Sequence, residues 1–225
     1  MQMMLFDTPT KDMDRLRDRL IARFGRFNEP PTRTPIEQLI RSLISGRTRD
    51  EVSLPAYDRL AAAYSDLNDM MAASVDDIQT VIADVTFPDD KAAHLLETLQ
   101  YIAVRHPDFD LDFLSRGTVD QALAWLQKLP GVGTKVAASA LNYSTLCMQS
   151  FIADTHVIRV MKRYGFIDRD KSACDFVMSA ACDYTAAELT ELHVLIKSLG
   201  QQYCRALEWK CDTCPVRDDC LKRLH

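Results

Sequence analysis

Apolar residues recur along this sequence at the spacing that one face of an α-helix requires. Between Ile36 and Ile44 they occupy positions i, i+3, i+4, i+7 and i+8, and similar patterns return within 95–102, 119–126 and 189–199. Pro35 precedes the first pattern, where its fixed φ suits a first helical turn. No stretch alternates β-branched and polar residues between hairpin turns. The sequence therefore predicts an all-α fold, with breaks at the proline-containing segments 28–31, 86–90, 106–107 and 129–131.

The charge of the chain is unevenly distributed. A net charge of -5 over 225 residues argues, for the chain as a whole, against a nucleic-acid partner, because phosphate binding requires Lys and Arg. Residues 76–127, however, hold ten acidic and three basic side chains, whereas residues 128–171 hold three acidic and seven basic ones. Because the local sign of the charge decides where a polyanion binds, the basic stretch remains compatible with a nucleic-acid ligand.

The sequence contains no predicted export or membrane segment. Residues 1–7 lack a basic start followed by an apolar run, and no stretch reaches the about 18 apolar residues that a spanning helix needs. We therefore expect a cytoplasmic protein. In that reducing compartment its seven cysteines are expected to be thiols or metal ligands.

The first motif is Leu129-Pro130-Gly131-Val132-Gly133-Thr134-Lys135, between two helical patterns. Two glycines one residue apart allow a tight turn and the close approach of a ligand to the backbone. The amides that begin the second helix suit a phosphate oxygen. The alternative is a simple corner between two helices.

The second motif is Asp154-Thr155-His156, directly before an apolar helical pattern. An Asp in this position is typically a helix N-cap that stabilises by about 1 kcal/mol. It can also remain ionised beside a reacting centre, because a helix N-terminus favours its anion. His156 taken alone is expected to be a packed or hydrogen-bonded helix residue.

The third motif is Cys204-x6-Cys211-x2-Cys214-x5-Cys220. Four thiolates this close in sequence can bind one metal centre, and zinc is the generic occupant of a tetrahedral four-cysteine site. Zinc ribbons usually have two separate Cys-x2-Cys pairs, whereas this segment has one. The other three cysteines, Cys147, Cys174 and Cys182, are expected to be small buried hydrophobic residues.

Together these three motifs closely resemble the endonuclease III family of DNA glycosylases, within the helix-hairpin-helix glycosylase superfamily. The resemblance spans roughly residues 34–220. It implies a two-lobed all-α fold, with a helical barrel domain at 35–146 and an iron-sulfur domain formed by 1–34 plus 147–225. It also implies a monomer, associated with the bacterial nucleoid, that binds duplex DNA containing a damaged or mismatched base in a groove between the lobes.

The resemblance further assigns roles to individual residues. Lys135 becomes the nucleophile of a bifunctional glycosylase and lyase, and Asp154 stabilises the cationic sugar. Cys204, Cys211, Cys214 and Cys220 become the ligands of a 4Fe-4S cluster. DNA contacts fall on Leu129, Gly131, Val132, Gly133, Thr134, Arg47 and His156.

The sequence departs from the family pattern in two loops that fill the gap left by an extruded base. Arg47 stands where the family has an inserted Gln, and the second loop reads Val85-Thr86-Phe87-Pro88-Asp89-Asp90-Lys91. The loop from Lys135 to Asp154 is also about one residue longer than usual in the family. The expected substrate is an oxidised pyrimidine. The alternatives are uracil or thymine opposite guanine, favoured by Arg47, and a non-catalytic DNA-binding protein on the same scaffold.

Overall fold

The computed structural model describes residues 8–168 and 172–222, and over these residues the fold is all-α, as predicted. The first seven residues, in which no export signal was expected, lie outside the described part. None of the described helices is long and apolar enough to span a bilayer. The helices are α1 Pro9–Phe24, α2 Pro35–Ser45, α3 Asp50–Ala63, α4 Leu67–Ala72, α5 Val75–Val81, α6 Pro88–Ala103, α7 Val119–Leu126, α8 Thr134–Asn142, α9 Thr155–Tyr164, α10 Ala173–Ala180 and α11 Ala186–Gln202.

The chain divides into two compact units. Residues 31–148 form one, which we call the hairpin unit because it contains the Gly-rich motif. Residues 1–30 and 149–225 form the other, the cysteine unit. Each unit has its own apolar core.

Helix α2 is central to the hairpin unit and packs against α3, α6 and α8. Thr34 is the N-cap, directly before Pro35, and it forms a capping box with Glu37. The apolar face predicted between Ile36 and Ile44 is buried. A buried polar cluster joins α2 to α8: Gln38 Nε2 donates to the hydroxyls of Ser42 at 3.1 Å and Ser139 at 2.9 Å, and these hydroxyls lie 2.9 Å apart. Since buried polar atoms require partners, these bonds fix α8 against α2.

Helices α1 and α11 pack together in the cysteine unit, and α11 also packs against α9. Side chains of α1 and α11 such as Leu16 and Leu192 are fully buried between these helices and their neighbours. Arg17 of α1 binds the buried carboxylate of Glu191 through Nε at 2.9 Å. Glu191 also accepts a bond from the Phe27 amide at 3.2 Å. The segment that follows α1 is thereby attached to α11.

Candidate functional site

The turn between α7 and α8 in the hairpin unit is anchored by two buried apolar side chains. Leu129 and Val132 are 3% and 6% exposed. Their amides donate in succession, Leu129 to the Leu126 carbonyl at 3.0 Å and Val132 to the Leu129 carbonyl at 3.1 Å. Leu129 and Val132, both predicted to contact DNA, therefore have side chains that belong to the core and amides that are bonded within the turn.

The two glycines of this turn serve different geometric purposes. Gly131 has a φ of +70°, and a Cβ added there would lie 3.0 Å from Cβ, Cγ and Nδ1 of His94 on α6. Gly133 has an ordinary φ of -88° and is the N-cap of α8. A Cβ added to Gly133 would have no atom within 4 Å. Gly131 is thus required by the fold, whereas Gly133 leaves open space in front of the helix.

The N-terminus of α8 can receive an anion. Gly133 has no side chain, and no side-chain hydrogen bond caps the helix. The first bond of the helix runs from the Ala137 amide to the Gly133 carbonyl at 3.0 Å. Thr134 is exposed beside it, its hydroxyl accepting from Gln127 Nε2 at 2.9 Å. Uncapped amides and the helix dipole together favour a phosphate oxygen at this position.

Lys135 is the second residue of α8 and is partly exposed. A second lysine, Lys91 of α6, is only 9% exposed. Burial, together with the positive charge of Lys135, lowers the pKa of Lys91 to about 8. In the sequence, Lys91 is only the last residue of the loop segment 85–91. A usable signal was its spacing, because Lys91, Leu95 and Leu99 lie four residues apart on the buried face of α6.

The two loops expected to fill a gap in the duplex are hydrogen-bonded to each other. Arg47 and Phe87 both have a φ of 55°, and the Arg47 guanidinium lies 5.9 Å from the centre of the Phe87 ring. The Thr86 amide donates to Thr48 Oγ1 at 3.0 Å, and the Thr86 hydroxyl donates to the Arg47 carbonyl at 3.1 Å. Positive φ in non-glycine residues costs free energy and persists where surrounding bonds impose it. The structure therefore holds an exposed aromatic ring and a cation as a pair.

Asp154 lies in the cysteine unit and caps α9, as its sequence position predicted. Its Oδ1 accepts from the Val157 amide at 2.8 Å, and the residue is 9% exposed. Its neighbour His156 is half-buried, with Nδ1 3.0 Å from Arg159 Nη2. Burial lowers the pKa of His156, and the charges of Arg159 and Lys197 add to this, against an opposing effect of Asp154. His156 is therefore mainly neutral at pH 7, with Nδ1 as an acceptor.

The four C-terminal cysteines line the same pocket in the cysteine unit. Apolar side chains, among them Val160, Leu199 and Val216, form much of its wall. Burial raises the pKa of the Cys214 thiol and raises that of Cys220 to about 11, and in both cases the neighbouring cysteines contribute. The thiols are thus near enough to affect one another.

The arrangement of these thiols bears on the kind of metal that they could hold. Zinc needs four thiolates at about 2.3 Å from one ion. Among the described residues, no three His, Cys, Asp or Glu side chains are gathered closely enough to bind a single ion. Four cysteines around one pocket offer the thiolate donors that either a zinc ion or an iron-sulfur cluster requires.

Two arginines of α9 hold the segment that begins at Cys204. Arg159 donates to the Cys204 carbonyl at 2.8 Å. Arg163 donates to the carbonyls of Arg205 at 2.6 Å and Ala206 at 3.0 Å, and its Nη1 lies 3.5 Å from Cys204 Sγ. These arginines belong to none of the three sequence motifs. Their spacing of one helical turn was the available signal.

The expectation that the other three cysteines are buried was wrong for two of them. Cys147 and Cys182 are exposed, and Cys174 is partly buried. Cys147 lies in a turn with a φ of 48°, and Cys182 follows the end of α10. Both lie outside helices, where no packed face covers the side chain.

Known relatives resemble the chain over most of its length. It is 25% identical to endonuclease III-like protein 1 of Gallus gallus over 216 residues, which cover 93% of this chain and 74% of that protein. It is also 25% identical to endonuclease III of Escherichia coli (strain K12) over 207 residues, 89% of this chain and 92% of that protein.

Solved structures share the fold. A trapped endonuclease III-DNA covalent intermediate superposes with a TM-score of 0.77 at 24% identity, covering 96% of both chains. A thermostable thymine-DNA glycosylase superposes with a TM-score of 0.69 at 16% identity, covering 94% of both. The model of the HhH-GPD superfamily of base excision DNA repair proteins matches residues 40–176, which include the hairpin, Lys135 and Asp154. The chain therefore belongs to the HhH-GPD superfamily of base excision DNA repair proteins.

Proposed function

We propose that this protein is a DNA glycosylase that removes oxidised pyrimidines from duplex DNA and then cleaves the abasic site. The observation that carries the proposal is the placement of Lys135 in the first turn of α8, after an uncapped glycine. An amine therefore lies beside a phosphate-binding helix N-terminus. That arrangement would bring the backbone of a nucleic acid to a nucleophile.

Binding to DNA begins with the turn before α8. The backbone of Leu129 to Thr134 would hold a phosphate, with Gly133 leaving room for its approach. Such contacts position the duplex without reading its sequence. Arg47 and Phe87 would occupy the space of the extruded nucleotide, since an aromatic ring and a guanidinium both stack on bases. His156 would contact DNA through its neutral ring.

The chemistry follows from an amine and a carboxylate. Deprotonated Lys135 attacks the anomeric carbon of the damaged nucleotide, the bond to the base breaks, and the base leaves with its electron pair and takes up a proton. Asp154 stabilises the cationic sugar through its negative charge. Ring opening gives an imine between Lys135 and C1', and loss of a C2' proton expels the 3' phosphate by β-elimination.

The four cysteines of the pocket would hold a 4Fe-4S cluster. When bound, such a cluster supplies a rigid covalent crosslink for the segment 204–220, and no bond-breaking step is assigned to it. We assign the barrel domain to 35–146 and the cluster domain to 1–34 plus 147–225, and we expect a monomer in the cytoplasm. Purified protein should be straw-brown and contain iron. A colourless protein containing zinc would contradict the cluster.

Borohydride trapping tests the imine. Incubation with an oxidised-pyrimidine duplex and borohydride should give a covalent protein-DNA adduct, because the imine is reduced to a stable amine. Lys135→Ala should abolish the adduct. Lys128→Ala is the matched control, since Lys128 is an exposed lysine of the same turn and should leave trapping intact. Full strand cleavage by Lys135→Ala would refute the mechanism.

A second candidate is a mismatch glycosylase that removes uracil or thymine opposite guanine. Arg47 favours it, because a guanidinium can donate two hydrogen bonds to an unpaired guanine. Comparing excision from oxidised-pyrimidine duplexes with excision from G·U and G·T duplexes separates the two. Tight binding that leaves every duplex of this panel intact would instead support a non-catalytic DNA-binding protein.

A further inference from the structure

Lys91 forms hydrogen bonds to both of the loops that carry Arg47 and Phe87. Its side chain is buried, and its Nζ donates to the Thr48 hydroxyl at 2.9 Å and to the Ile44 carbonyl at 2.8 Å. Its backbone amide donates to the Phe87 carbonyl at 3.2 Å. Ile44 lies in the last turn of α2, where the helix carbonyls have no partners within the helix. Lys91 therefore links the end of α2 and both loops through one residue.

The Thr48 hydroxyl uses every hydrogen bond that it can form. It accepts from Lys91 Nζ and from the Thr86 amide at 3.0 Å, and it donates to the Gly46 carbonyl at 3.3 Å. A hydroxyl has one proton and two acceptor lone pairs, so its orientation is fixed. The Thr86 hydroxyl in turn donates to the Arg47 carbonyl at 3.1 Å. A continuous chain of hydrogen bonds therefore runs from Lys91 to the backbone of Arg47.

These bonds hold two residues in a conformation that a free loop would leave. Arg47 and Phe87 both have a φ of 55°, which costs an L-residue free energy and persists only where surrounding contacts impose it. Arg47 is exposed and Phe87 is 50% exposed. Their side chains are too exposed for core packing to impose this conformation. The hydrogen bonds that meet at Lys91 and Thr48 therefore impose it.

The chemistry of Lys91 separates this role from one in the fold alone. Both side-chain acceptors are neutral, and a buried ammonium costs folding free energy that an apolar side chain of similar length would not. Satisfying the end of α2 would require only the bond to Ile44. The bond to Thr48 extends beyond the helix to the loops, and it is this bond that connects Lys91 with the exposed pair.

We propose that Lys91 is a positioning residue that holds Arg47 and Phe87 in place to enter the duplex when the damaged nucleotide is extruded. It acts through Thr48 and the loop backbones, and no contact with the reacting atoms is assigned to it. The inference rests on the proposed function, because it assumes that Arg47 and Phe87 fill the space of the extruded nucleotide. Groups that are fixed before binding lose less conformational freedom on insertion, so extrusion is faster.

The test compares two single-turnover rates: excision of an oxidised pyrimidine from a duplex, and cleavage of a duplex that already contains an abasic site. A damaged base must be unstacked before Lys135 can react, whereas an abasic nucleotide has no base to unstack. Lys91→Met should therefore lower the excision rate by roughly 10-fold to 100-fold. It should lower the abasic cleavage rate by about threefold or less. A change that acted on the chemistry of Lys135, or a general loss of packing, would lower both rates equally.

Thr48 offers the matched variants. Thr48→Val keeps the shape of the side chain but removes the hydroxyl, so it should reproduce the selective loss of excision. Thr48→Ser keeps the hydroxyl, and its excision rate should stay within about twofold of the wild type. Combining Arg47→Ala with Phe87→Ala removes the pair through which Lys91 acts. Adding Lys91→Met to that double variant should then change excision by less than about twofold, because residues that act through one another are not additive.

Equal losses of the two rates in folded Lys91→Met would overturn the proposal, as would an undiminished loss of excision when Lys91→Met is added to the double alanine variant. Circular dichroism establishes whether each variant is folded. If Lys91→Met does not fold, Thr48→Val carries the test, and a wild-type excision rate in that variant overturns the proposal. Absence of both excision and abasic cleavage by the wild type would refute the proposed function itself and, with it, this role of Lys91.

Discussion

The two glycines of the hairpin provide a direct test of which one the fold needs and which one a ligand needs. Alanine at Gly131 would keep a φ of +70° and place its methyl group 3.0 Å from the His94 side chain. The left-handed conformation costs an L-residue about 1–2 kcal/mol, and the crowding adds about 1–3 kcal/mol. Alanine also lowers the conformational entropy of the unfolded chain, which offsets about 0.4–1 kcal/mol of this loss of stability.

We therefore expect Gly131→Ala to lose about 1–4.5 kcal/mol of unfolding free energy, with about 3 kcal/mol at the centre of that range. For a domain of this size the central value corresponds to a fall in melting temperature of roughly 6–12 °C. Gly133→Ala is the matched control, because Gly133 has an ordinary φ and open space around it. Its stability should stay within about 1 kcal/mol of the wild type.

For DNA binding, in contrast to stability, we expect a large effect from Gly133→Ala. The methyl group of Gly133→Ala would stand in front of the uncapped N-terminus of α8, so its dissociation constant for duplex DNA should increase roughly tenfold, about 1.4 kcal/mol. Urea unfolding and fluorescence anisotropy at fixed salt measure the two quantities. Equal losses of stability in both variants would refute the assignment of separate roles, as would unchanged DNA binding by Gly133→Ala.

Three further outcomes follow from single side chains. The pKa of Lys91 is lower in the folded protein than in the unfolded chain, so folding stability should increase with pH between about 8 and 10.5, by up to about 3 kcal/mol. Lys91→Met should remove this increase in urea titrations across that range, and parallel curves would contradict the buried cation. Asp154→Ala should lower the unfolding free energy by about 1 kcal/mol, because the α9 cap is lost. Asp154→Asn should retain most of the stabilisation by the cap, and urea unfolding measures both variants. Glu191→Gln should cost about 2–3 kcal/mol, because it removes the charge that pairs with the partly buried Arg17, and a change in melting temperature below 2 °C would contradict it.

The helices could be predicted because their signals are local. The apolar spacing between Ile36 and Ile44 depends only on the 3.6-residue period of a helix, and Pro35 and Asp154 mark helix starts through their own backbone and side-chain chemistry. The Gly-x-Gly turn is likewise defined within a few residues. These features require no knowledge of distant contacts.

The burial of individual side chains could not be predicted in the same way. Cysteine is a small apolar residue, but Cys147 and Cys182 are exposed because both lie outside the helices. Leu129 and Val132 belong to the motif expected to touch DNA, but their side chains face the core. Each result depends on which neighbouring element covers the residue, and that information is not local.

The sequence by itself determined the helical content, the hairpin turn and the four clustered cysteines, because each is encoded by spacing along the chain. Only the tertiary structure decided that Lys91 is buried, that its bonds reach Ile44 and Thr48, and that the charge of Lys135 contributes to lowering its pKa. These relations join residues more than forty positions apart in sequence. Their energies depend on distance and burial, which exist only once the helices have packed.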